Sequence, residues 1–315
     1  MKNILVTGGA GFIGSNLVRE LLKSCTYKIY VFDNLSTGRI ENLPLKNNCL
    51  NFFNIDLLLN YEDWPIIENL ECIYHFSANA DVRGGMLNRE IDLKQNVLVT
   101  KSVCDYARKY NCKHLVFSSS ATVYGEPEIF PTSENAALKQ TSIYGASKLS
   151  GEAFIQAYSE YADFKSTIFR FVSWIGYGYS HGVIYDFYKK LKNNSKELEI
   201  LGNGKQRKSF LDVSDGIRGI IQLKDHDSQS EVFNLGHNEI MNINKLANIV
   251  CEYLDLKEIK FKYTGSDRGW IGDSPLVHLD ISKANAYGWE PKVSIADGIF
   301  NTLDYLTSNK KNVFR

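Results

Sequence analysis

Residues 1–14 of this 315-residue chain, MKNILVTGGAGFIG, carry the pattern that decides its fold. The apolar run Asn3–Thr7 predicts a strand, and the helical pattern from Phe12 onward follows a glycine-rich loop directly. Glycines 9, 11 and 14 satisfy G-x-G-x-x-G, and glycines 8, 11 and 14 satisfy G-x-x-G-x-x-G. Glycine lets a backbone turn sharply and approach a pyrophosphate, while the helix N-terminus supplies N–H donors and a favourable dipole. The stretch therefore predicts a dinucleotide site.

A second predicted strand, Lys28–Phe32, is followed by an acidic residue that bears on the choice of dinucleotide. Asp33 lies 19 residues beyond Gly14. A carboxylate at about this spacing accepts from the adenosine ribose hydroxyls of NAD and repels the extra phosphate of NADP. Arg39, in the same loop, is a candidate ligand for that phosphate and keeps NADP open as the alternative. We expect NAD.

Strand and helix signals alternate along the first half of the chain. Further strands are predicted at Leu50–Asn54, Cys72–Phe76, His114–Ser118 and Ser166–Phe171, and helices near 12–23, 61–70, 88–110 and 144–161. Apolar strands separated by helices predict the α/β class with a doubly wound parallel sheet, the dinucleotide-binding Rossmann fold, and ligands at the carboxyl ends of the strands.

The second half of the chain has a looser pattern. Helices are predicted near 182–193 and 213–223 and strands near 197–202 and 231–235, followed by elements near 243–256, 259–263 and 282–307. We expect a dinucleotide-binding domain over 1–171, rejoined by about 210–237, and a smaller C-terminal α/β substrate lobe over 172–209 and 238–315.

Composition excludes several classes of protein. Lys and Arg total 36 and Asp and Glu total 36, so the formal net charge is zero, which argues against nucleic-acid or membrane partners. No apolar run reaches the length of a membrane span. The six cysteines are scattered, without a C-x-x-C pair, and predict free thiols in a reducing, cytoplasmic location. The six histidines show no metal-ligand spacing, so no metal site is expected.

Two segments carry candidate catalytic groups. SIYGASK at 142–148 places Tyr144 and Lys148 four residues apart, on one face of a predicted helix. A phenol is a poor base at pH 7, but a neighbouring ammonium and a nicotinamide cation favour the phenolate. FSSSATVYG at 117–125 leaves the fifth predicted strand, where Ser120 is a candidate to hold the substrate oxygen. Ser118 or Ser119 would then only satisfy loop amides.

TGGAGFIG, Asp33-Asn34, FSSSATVYG and YGASK together resemble the extended short-chain dehydrogenase/reductase family. Within it, the whole chain is most similar to the NAD-dependent sugar-nucleotide epimerases and dehydratases, especially the UDP-glucose 4-epimerase-like proteins. The resemblance implies that a tightly held NAD takes hydride from C4 of the sugar while a tyrosine takes the hydroxyl proton. The 4-keto sugar then turns, and hydride returns to its other face.

The resemblance also implies roles for individual residues. Tyr144 is the base, Lys148 tunes it, and Ser120 is the hydroxyl partner. The implied NAD contacts are Gly8, Gly11, Phe12, Ile13, Gly14, Asp33, Asn34, Ser36, Asp56, Leu57, Ser77, Ala78, Asn96, Ser118, Tyr144, Lys148 and Phe171. The implied substrate contacts are Ser120, Tyr144, Ser173, Gly182, Val183, Arg207, Arg268 and Asp273.

The chain departs from the family pattern at several positions. The dehydratases carry Asp-Glu where this chain has Ala121 and Thr122, which disfavours dehydration. Ser173 stands where the family usually has asparagine. In the segment 266–273, Trp270 occupies the usual arginine position, so Arg268 is only a possible replacement. Asp273 in the same segment equally suits a turn cap.

These observations predict a cytoplasmic, homodimeric, NAD-dependent epimerase acting at C4 of a nucleotide-diphosphate sugar, with a UDP-hexose, N-acetylhexosamine or uronate as substrate. The resemblance implies a role in polysaccharide precursor synthesis and a dimer formed through helices 88–110 and 144–161. The first alternative is a nucleotide-sugar dehydrogenase or reductase that releases the oxidised or reduced sugar. The second is a dinucleotide-binding protein without catalysis. The sequence names neither the sugar nor its carrier.

Overall fold

The computed structural model describes residues 1–270 and 272–309. The strands are β1 (Lys2–Thr7), β2 (Tyr27–Asp33), β3 (Leu50–Asn54), β4 (Leu70–His75), β5 (His114–Ser120), β6 (Lys165–Phe171), β7 (Ser173–Ile175), β8 (Glu197–Ile200), β9 (Arg207–Lys208), β10 (Phe210–Asp212), β11 (Ser230–Leu235), β12 (Met241–Asn242), β13 (Lys260–Tyr263) and β14 (Leu276–Val277). The helices are α1 (Phe12–Leu22), α2 (Val82–Leu87), α3 (Arg89–Asp92), α4 (Val99–Lys109), α5 (Ile143–Ala162), α6 (Val183–Asn193), α7 (Val213–Leu223), α8 (Ile243–Tyr253), α9 (Ser282–Ala286) and α10 (Ile295–Ser308).

The chain forms two compact units. The first comprises Met1–Gly125, Ala137–Phe171 and Ile220–Phe233, and the second comprises Glu126–Ala136, Val172–Gly219 and the chain from Asn234 onward. The second unit thus takes residues 126–136, which the sequence-based boundaries placed in the dinucleotide-binding domain. The predicted lobe 238–315 also includes residues 271 and 310–315, which lie outside the described residues.

A seven-stranded sheet organises the first unit, in the order β11-β6-β5-β4-β1-β2-β3. The described pairings among β1 to β6 are all parallel. The predicted fold class is therefore confirmed. The chain runs from β1 to β2 and β3 on one side and continues with β4, β5 and β6 on the other. Ligands of such sheets bind at this reversal, beyond the carboxyl ends of the strands.

Aromatic and aliphatic side chains fill the core of the first unit. Phe32 meets Trp64 and Tyr106 edge-on, with ring centroids 6.2 Å apart in both pairs. All three side chains are buried in a cluster that also contains Leu5 and Ile155. Burial of one such side chain contributes about 1.5–3 kcal/mol. This core holds the strand ends and α5 in fixed positions.

Two predicted helices of the first unit were wrong in detail. In place of a helix over 61–70 there is one 3₁₀ turn at Tyr61–Asp63, after which Trp64 is extended (φ −74°, ψ 152°). Pro65 explains this, because the residue before a proline avoids the helical region. The predicted helix 88–110 is α3 and α4 joined by a π-helical segment, Leu93–Leu98.

Small sheets and helices form the second unit. β7 pairs with β10 and β8 with β13, both in parallel, and β9 lies between antiparallel β12 and parallel β14. The predicted element 282–307 is two helices, α9 and α10. Gly288, with a φ of 80°, follows α9, and Pro291 then stands between the two helices.

The six cysteines are free thiols in the structure, as predicted. Over the described residues, no helix is both long and apolar enough to cross a membrane.

Candidate active site

The glycine loop between β1 and α1 requires glycine for steric reasons. Gly8 has a φ of 67°, and a Cβ there would lie 2.7 Å from the backbone nitrogen of Ser77. A Cβ on Gly14 would lie 2.3 Å from the carbonyl oxygen of Gly8. Helix α1 begins at Phe12 with Gly11 at the N-cap and no side-chain cap there. The first turn of α1 therefore meets the loop without a side chain in between, as an anion site requires.

Asp33 ends β2 beside this loop, and its buried carboxylate is already held by backbone amides. Oδ2 accepts from the N–H of Ala10 at 2.9 Å, and Oδ1 accepts from the N–H of Leu35 at 2.8 Å. Burial raises the pKa of Asp33, while these two hydrogen bonds oppose the rise. Each oxygen keeps a lone pair for a hydroxyl donor.

The other predicted NAD contacts lie at or just beyond the carboxyl ends of the parallel strands, apart from one on the π-helical segment. Asn34 and Ser36 follow β2, Asp56 and Leu57 follow β3, Ser77 and Ala78 follow β4, Ser118 is near the end of β5, Phe171 ends β6, and Asn96 lies on the π-helical segment. The glycine cradle, the uncapped start of α1 and the amide-held carboxylate suit a pyrophosphate and a ribose diol. The residues of the first unit therefore fit NAD.

Tyr144 and Ser120 meet where α5 begins and β5 ends. Ser142 caps α5 by accepting from the N–H of Gly145 at 3.0 Å, which fixes Tyr144 in the first turn. Ser120 is the last residue of β5, and its Oγ accepts from the backbone N–H and the hydroxyl of Thr122 at 3.2 and 3.0 Å. The hydroxyl of Ser120 lies close enough to the phenol of Tyr144 to lower the pKa of that phenol. Because Ser120 already accepts twice, its own proton is available to the phenol oxygen.

Lys148 lies one turn further along α5 and is almost fully buried. Its Nζ donates to the carbonyl oxygen of Ser118 at 2.9 Å and lies 6.0 Å from the ring centroid of Tyr144. Burial lowers the pKa of Lys148 to about 8, although Asp92 and Glu152 oppose this. The ammonium is therefore the main form at pH 7.

Tyr144 itself is not a strong base in the chain alone. Burial raises its pKa to about 12, the hydroxyl of Ser120 lowers it, and the charge of Asp92 raises it. The ammonium of Lys148 lies close to the phenol, but burial outweighs its effect in the chain alone. The phenolate needs further positive charge at the site.

A buried ion pair that the sequence analysis missed supports both elements of this site. Glu152, one turn after Lys148 on α5, receives two hydrogen bonds from Arg170 of β6, Nε to Oε1 at 3.0 Å and Nη2 to Oε2 at 2.7 Å. Ser119 donates to the same carboxylate. Arg170 also donates to the hydroxyl of Tyr124 at 2.9 Å.

The sequence does contain a signal for this pair. An arginine flanked by phenylalanines inside a buried strand needs a buried partner, and Glu152 follows Lys148 at helical spacing.

Ser118 and Ser119, the two serines before Ser120, also have identifiable roles. Ser118 donates to the carbonyl of His75 at 3.3 Å and Ser119 to Glu152, so neither serves the loop amides that were expected.

In the second unit, adjacent basic residues of β9 have different surroundings. The ammonium of Lys208 pairs with Asp273 and lies 5.3 Å from the ring centroid of Trp270. The other oxygen of Asp273 accepts from the N–H of Gly269 at 2.9 Å. Asp273 is thus buried, and both of its carboxylate oxygens are already bound. This agrees with the turn-capping role that was the alternative to substrate binding. Arg207 has an exposed side chain, and within residues 1–270 and 272–309 it forms no ion pair.

Arg268, the possible replacement for the displaced family arginine, is engaged by an acid. Its guanidinium pairs with Glu126 through both terminal nitrogens, one of them at 2.9 Å from Oε2. The same guanidinium donates to the carbonyl of Asp273 at 3.4 Å. A phosphate would have to compete with Glu126 for the guanidinium of Arg268.

The remaining predicted substrate contacts lie near α6 and β7. Gly182 has a φ of 104° and stands at the N-cap of α6 without a side-chain cap, directly before Val183. A Cβ on Gly182 would lie 2.1 Å from the hydroxyl of Tyr179, so only glycine fits. Ser173 begins β7 with an exposed side chain. No cluster of three or more candidate metal ligands occurs in the described part of the chain.

Comparisons with known proteins agree with this geometry. A family model described as the NAD dependent epimerase/dehydratase family matches residues 4–236. A putative UDP-glucose 4-epimerase of Methanocaldococcus jannaschii is 31% identical, covering 98% of this chain and 99% of that protein. A UDP-glucuronic acid decarboxylase of Xenopus tropicalis is 28% identical, covering 96% of this chain and 72% of that protein.

The structures agree as well. The crystal structure of UDP-glucose 4-epimerase from Thermotoga maritima, with UDP-glucose, matches at a TM-score of 0.89 and 30% identity, covering 98% of this chain and 99% of that one. The relatives thus include both epimerases and decarboxylases of UDP-sugars. With its glycine loop, its Asp33 and its Ser–Tyr–Lys arrangement, the chain belongs to the NAD-dependent epimerase/dehydratase family.

Proposed function

We propose that this protein epimerises C4 of a UDP-sugar through a transient 4-keto intermediate. The observation that carries the proposal is the arrangement of Ser120, Tyr144 and Lys148, with a serine hydroxyl beside a phenol and a buried ammonium 6.0 Å from the centroid of the phenol ring. A protein that only binds a dinucleotide has no need of this arrangement. The relatives that act on UDP-sugars supply the substrate class.

NAD, when bound, supplies the acceptor and then the donor for the hydrogen on C4, together with the positive charge of its oxidised nicotinamide. The loop from Gly8 to Gly14 would hold its pyrophosphate and Asp33 its adenosine ribose. The other proposed contacts, at the ends of β2 to β6 and on the π-helical segment, would surround the remainder of the cofactor.

Proton transfer is the task of the chain's own residues. The phenolate oxygen of Tyr144 takes the proton of the C4 hydroxyl as the C4–O bond becomes a carbonyl. Ser120 donates its hydrogen bond to the same sugar oxygen and so keeps it within reach of the phenol. When C4 is reduced again, Tyr144 returns the proton to the new hydroxyl. The cycle leaves the protein unchanged.

Electrostatics decide when this transfer is possible. With the pKa of Tyr144 raised to about 12 by burial, the phenol is protonated before the site is complete. Lys148, charged at pH 7, already favours the phenolate, and the charge that arrives with the oxidised cofactor adds to it. Proton abstraction is therefore coupled to the assembly of the whole site.

The residues after Ser120 favour epimerisation over elimination. Ala121 has no ionisable group, and Thr122 uses its hydroxyl to donate to Ser120 at 3.0 Å. Neither side chain can act as an acid or base at C5 and C6. The keto intermediate is therefore left to be reduced again on its other face.

Substrate binding would involve residues of the second unit. Arg207 is the proposed diphosphate ligand, because its exposed planar guanidinium matches phosphate oxygens. Gly182 and Val183 offer backbone N–H groups at the start of α6, and Ser173 offers a hydroxyl. Arg268 and Asp273 stabilise the second unit in this proposal and do not bind the substrate, since each is bound to another side chain.

We also propose a homodimer formed through the π-helical segment, α4 and α5. Leu93, Leu98 and Tyr161 are 53, 47 and 60% exposed on these helices, although all three are large hydrophobic residues. Apolar helix faces of this kind suit a second copy of the same chain. Sedimentation equilibrium should give twice the mass of 35.8 kDa. A monomer at all concentrations would contradict this assembly.

The activity is tested by proton NMR with UDP-glucose, UDP-N-acetylglucosamine and UDP-glucuronate in turn, without added cofactor. We expect a new anomeric signal from the C4 epimer of at least one sugar, because the cofactor is restored in each cycle. The matched control is Tyr144→Phe, which removes the proton acceptor and nothing else.

The other outcomes each indicate a different reaction. Release of carbon dioxide with a UDP-pentose from UDP-glucuronate would replace the proposal with decarboxylation. An oxidised sugar formed only with added NAD would indicate a net dehydrogenase. NAD present in the protein with no turnover of any nucleotide sugar would indicate a binding protein.

A further inference from the structure

Asp92 is a buried carboxylate for which the mechanism above has no role. It is the last residue of α3, directly before the π-helical segment, and it has no solvent-exposed surface. Among residues 1–270 and 272–309, its Oδ2 has no hydrogen-bond partner. A buried carboxylate oxygen without a donor is costly and calls for an explanation. π-helical turns are also found frequently at functional sites.

Hydrogen bonds connect Asp92 to α5 at the turn that carries Lys148. Its Oδ1 accepts from the side-chain amides of Asn79 at 2.8 Å and Asn96 at 3.3 Å. Asn96 also donates to the hydroxyl of Ser147 at 2.8 Å. Ser147 is adjacent to Lys148 in sequence. The carboxylate is thus fixed in place relative to the catalytic helix.

Gly85 of α2 closes the other side of the carboxylate. A Cβ at this position would lie 2.3 Å from Asp92 Oδ2. The chain therefore places its smallest residue against the oxygen that has no donor. Any larger side chain would displace the carboxylate.

The charges that face Lys148 do not all act alike. Glu152 on the same helix is neutralised by its two hydrogen bonds from Arg170. His75 of β4 is uncharged, because burial lowers its pKa to about 3. Tyr144 is neutral until it is deprotonated.

Asp92 is the remaining acid whose charge acts on Lys148, it is joined through Asn96 to Ser147 next to the lysine, and in the described chain it forms no ion pair. Burial raises the pKa of Asp92, whereas Asn79 and the charge of Lys148 lower it. Asp81, the other acid near Asp92, opposes its ionisation.

We propose that Asp92 is a positioning residue that supplies the counter-charge of Lys148 and thereby keeps the lysine protonated beside Tyr144. The negative charge is useful because Lys148 is buried and would otherwise lose its proton at a lower pH, and this gain is set against the direct effect of Asp92, which raises the pKa of Tyr144. Glu152 cannot take this role, since Arg170 already balances it. The inference rests on the proposed function for its catalytic consequence, but the protonation of Lys148 can be measured without any substrate.

The decisive experiment follows Lys148 directly in Asp92→Asn, which removes the charge and keeps the shape and the acceptor oxygen. Protein labelled with 13C at lysine Cε is titrated by NMR, and the Lys148 signal is identified by its loss in Lys148→Met. In the wild type we expect a midpoint near the pKa of about 8. In Asp92→Asn the midpoint should fall by about one pH unit, the size of effect of one nearby opposite charge.

The activity of the same variant gives a second readout. Loss of the ammonium limits kcat at alkaline pH, so the alkaline limb of kcat should move to lower pH by the same amount. Asp105→Asn is the matched control, because Asp105 is a buried aspartate on α4 that pairs with Lys101 instead. Asp105→Asn should lower the stability of the protein without moving the NMR midpoint of Lys148 or the alkaline limb of kcat.

Gly85→Ala provides a test if Asp92→Asn fails to fold. The new methyl group pushes the carboxylate from its place while its charge is retained, so a smaller shift in the same direction is expected. A Lys148 midpoint unchanged by both variants, or an uncharged Lys148 at pH 7 in the wild type, would overturn the inference. A wild-type protein without epimerase activity overturns the proposed function instead, since the titration needs no turnover.

Discussion

The two units present their candidate functional groups in opposite ways. In the first unit, Tyr144, Ser120 and Lys148 stand on a capped helix and a strand end, and their surroundings are buried and hydrogen-bonded. In the second unit, Arg268 is paired with Glu126, and Arg207 is exposed. The groups proposed to do the chemistry are thus positioned in advance, whereas of the groups proposed to hold the nucleotide Arg207 is exposed and Arg268 is already paired. The predictions below test this contrast.

The largest effect is expected for Tyr144→Phe. Loss of the proton acceptor should lower kcat by about 10³-fold, within the range of general acid–base catalysis, while bound NAD is retained. The rate is measured by NMR and the NAD content by absorbance after denaturation. Tyr161→Phe, at an exposed tyrosine of the same helix, should have wild-type activity. Substantial turnover by Tyr144→Phe would remove the basis of the mechanism.

The second prediction separates the two arginines of the second unit. Arg207→Gln should raise KM for the UDP-sugar by about 10-fold or more with a smaller change in kcat, because a charge-assisted phosphate contact is lost. Arg268→Gln breaks an exposed pair with Glu126 and should change KM by about 3-fold at most. Steady-state kinetics decide between them. Equal effects would return Arg268 to the diphosphate site.

A third, smaller effect concerns the cofactor. Asp33→Asn removes the negative charge that repels the phosphate of NADP and weakens the contact with the ribose diol of NAD. The ratio of the Kd for NADP to that for NAD should fall by about 10-fold, as measured by equilibrium dialysis. An unchanged ratio would indicate that Asp33 serves only the amides of Ala10 and Leu35.

The smallest effect is expected in acid stability and arises in the buried first unit. His75 lies between the hydroxyls of Thr7 and Thr100, at 2.7 and 3.0 Å, and burial lowers its pKa to about 3. Between the unfolded pKa near 6.5 and about 3, the unfolded chain binds the extra proton. Stability is therefore fully present above pH 6.5 and is lost as the pH falls.

His75→Gln should reduce this slope by up to about 1.4 kcal/mol per pH unit, measured by urea denaturation at several pH values. The same slope in His75→Gln as in the wild type would show that the buried ring does not control acid stability.

The positions of elements in the first unit could be predicted from sequence where the relevant contacts are local. The glycine loop, Asp33 and the Tyr–Lys spacing lie within single turns, strands or helices, so their periodicity and spacing are visible in the chain. The predicted helix over 61–70 was wrong because Pro65 keeps Trp64 extended and ends the turn that begins at Tyr61. The π-helical segment could not be expected, since it follows from packing and not from a residue pattern.

Partners far apart in sequence account for the other differences. The pairing of Arg268 with Glu126 joins residues 142 positions apart, and that of Lys208 with Asp273 joins residues 65 apart. A basic loop looks the same in sequence whether its side chains bind phosphate or neighbouring acids. The interpretation of the second unit therefore depended on the structure, and the proposed roles of its residues still depend on the kinetics above.

The Glu152–Arg170 pair also has an evolutionary consequence. Either residue changed alone leaves an unpaired charge in the interior, which costs about 3–5 kcal/mol and is comparable to the stability margin of a whole domain. Mutational drift at these positions is therefore blocked unless both change together. Exposed positions such as Arg207 and Ser173 carry no such constraint from stability. If the proposed roles hold, new substrate specificities can therefore arise in the second unit while the proposed catalytic groups of the first remain the same.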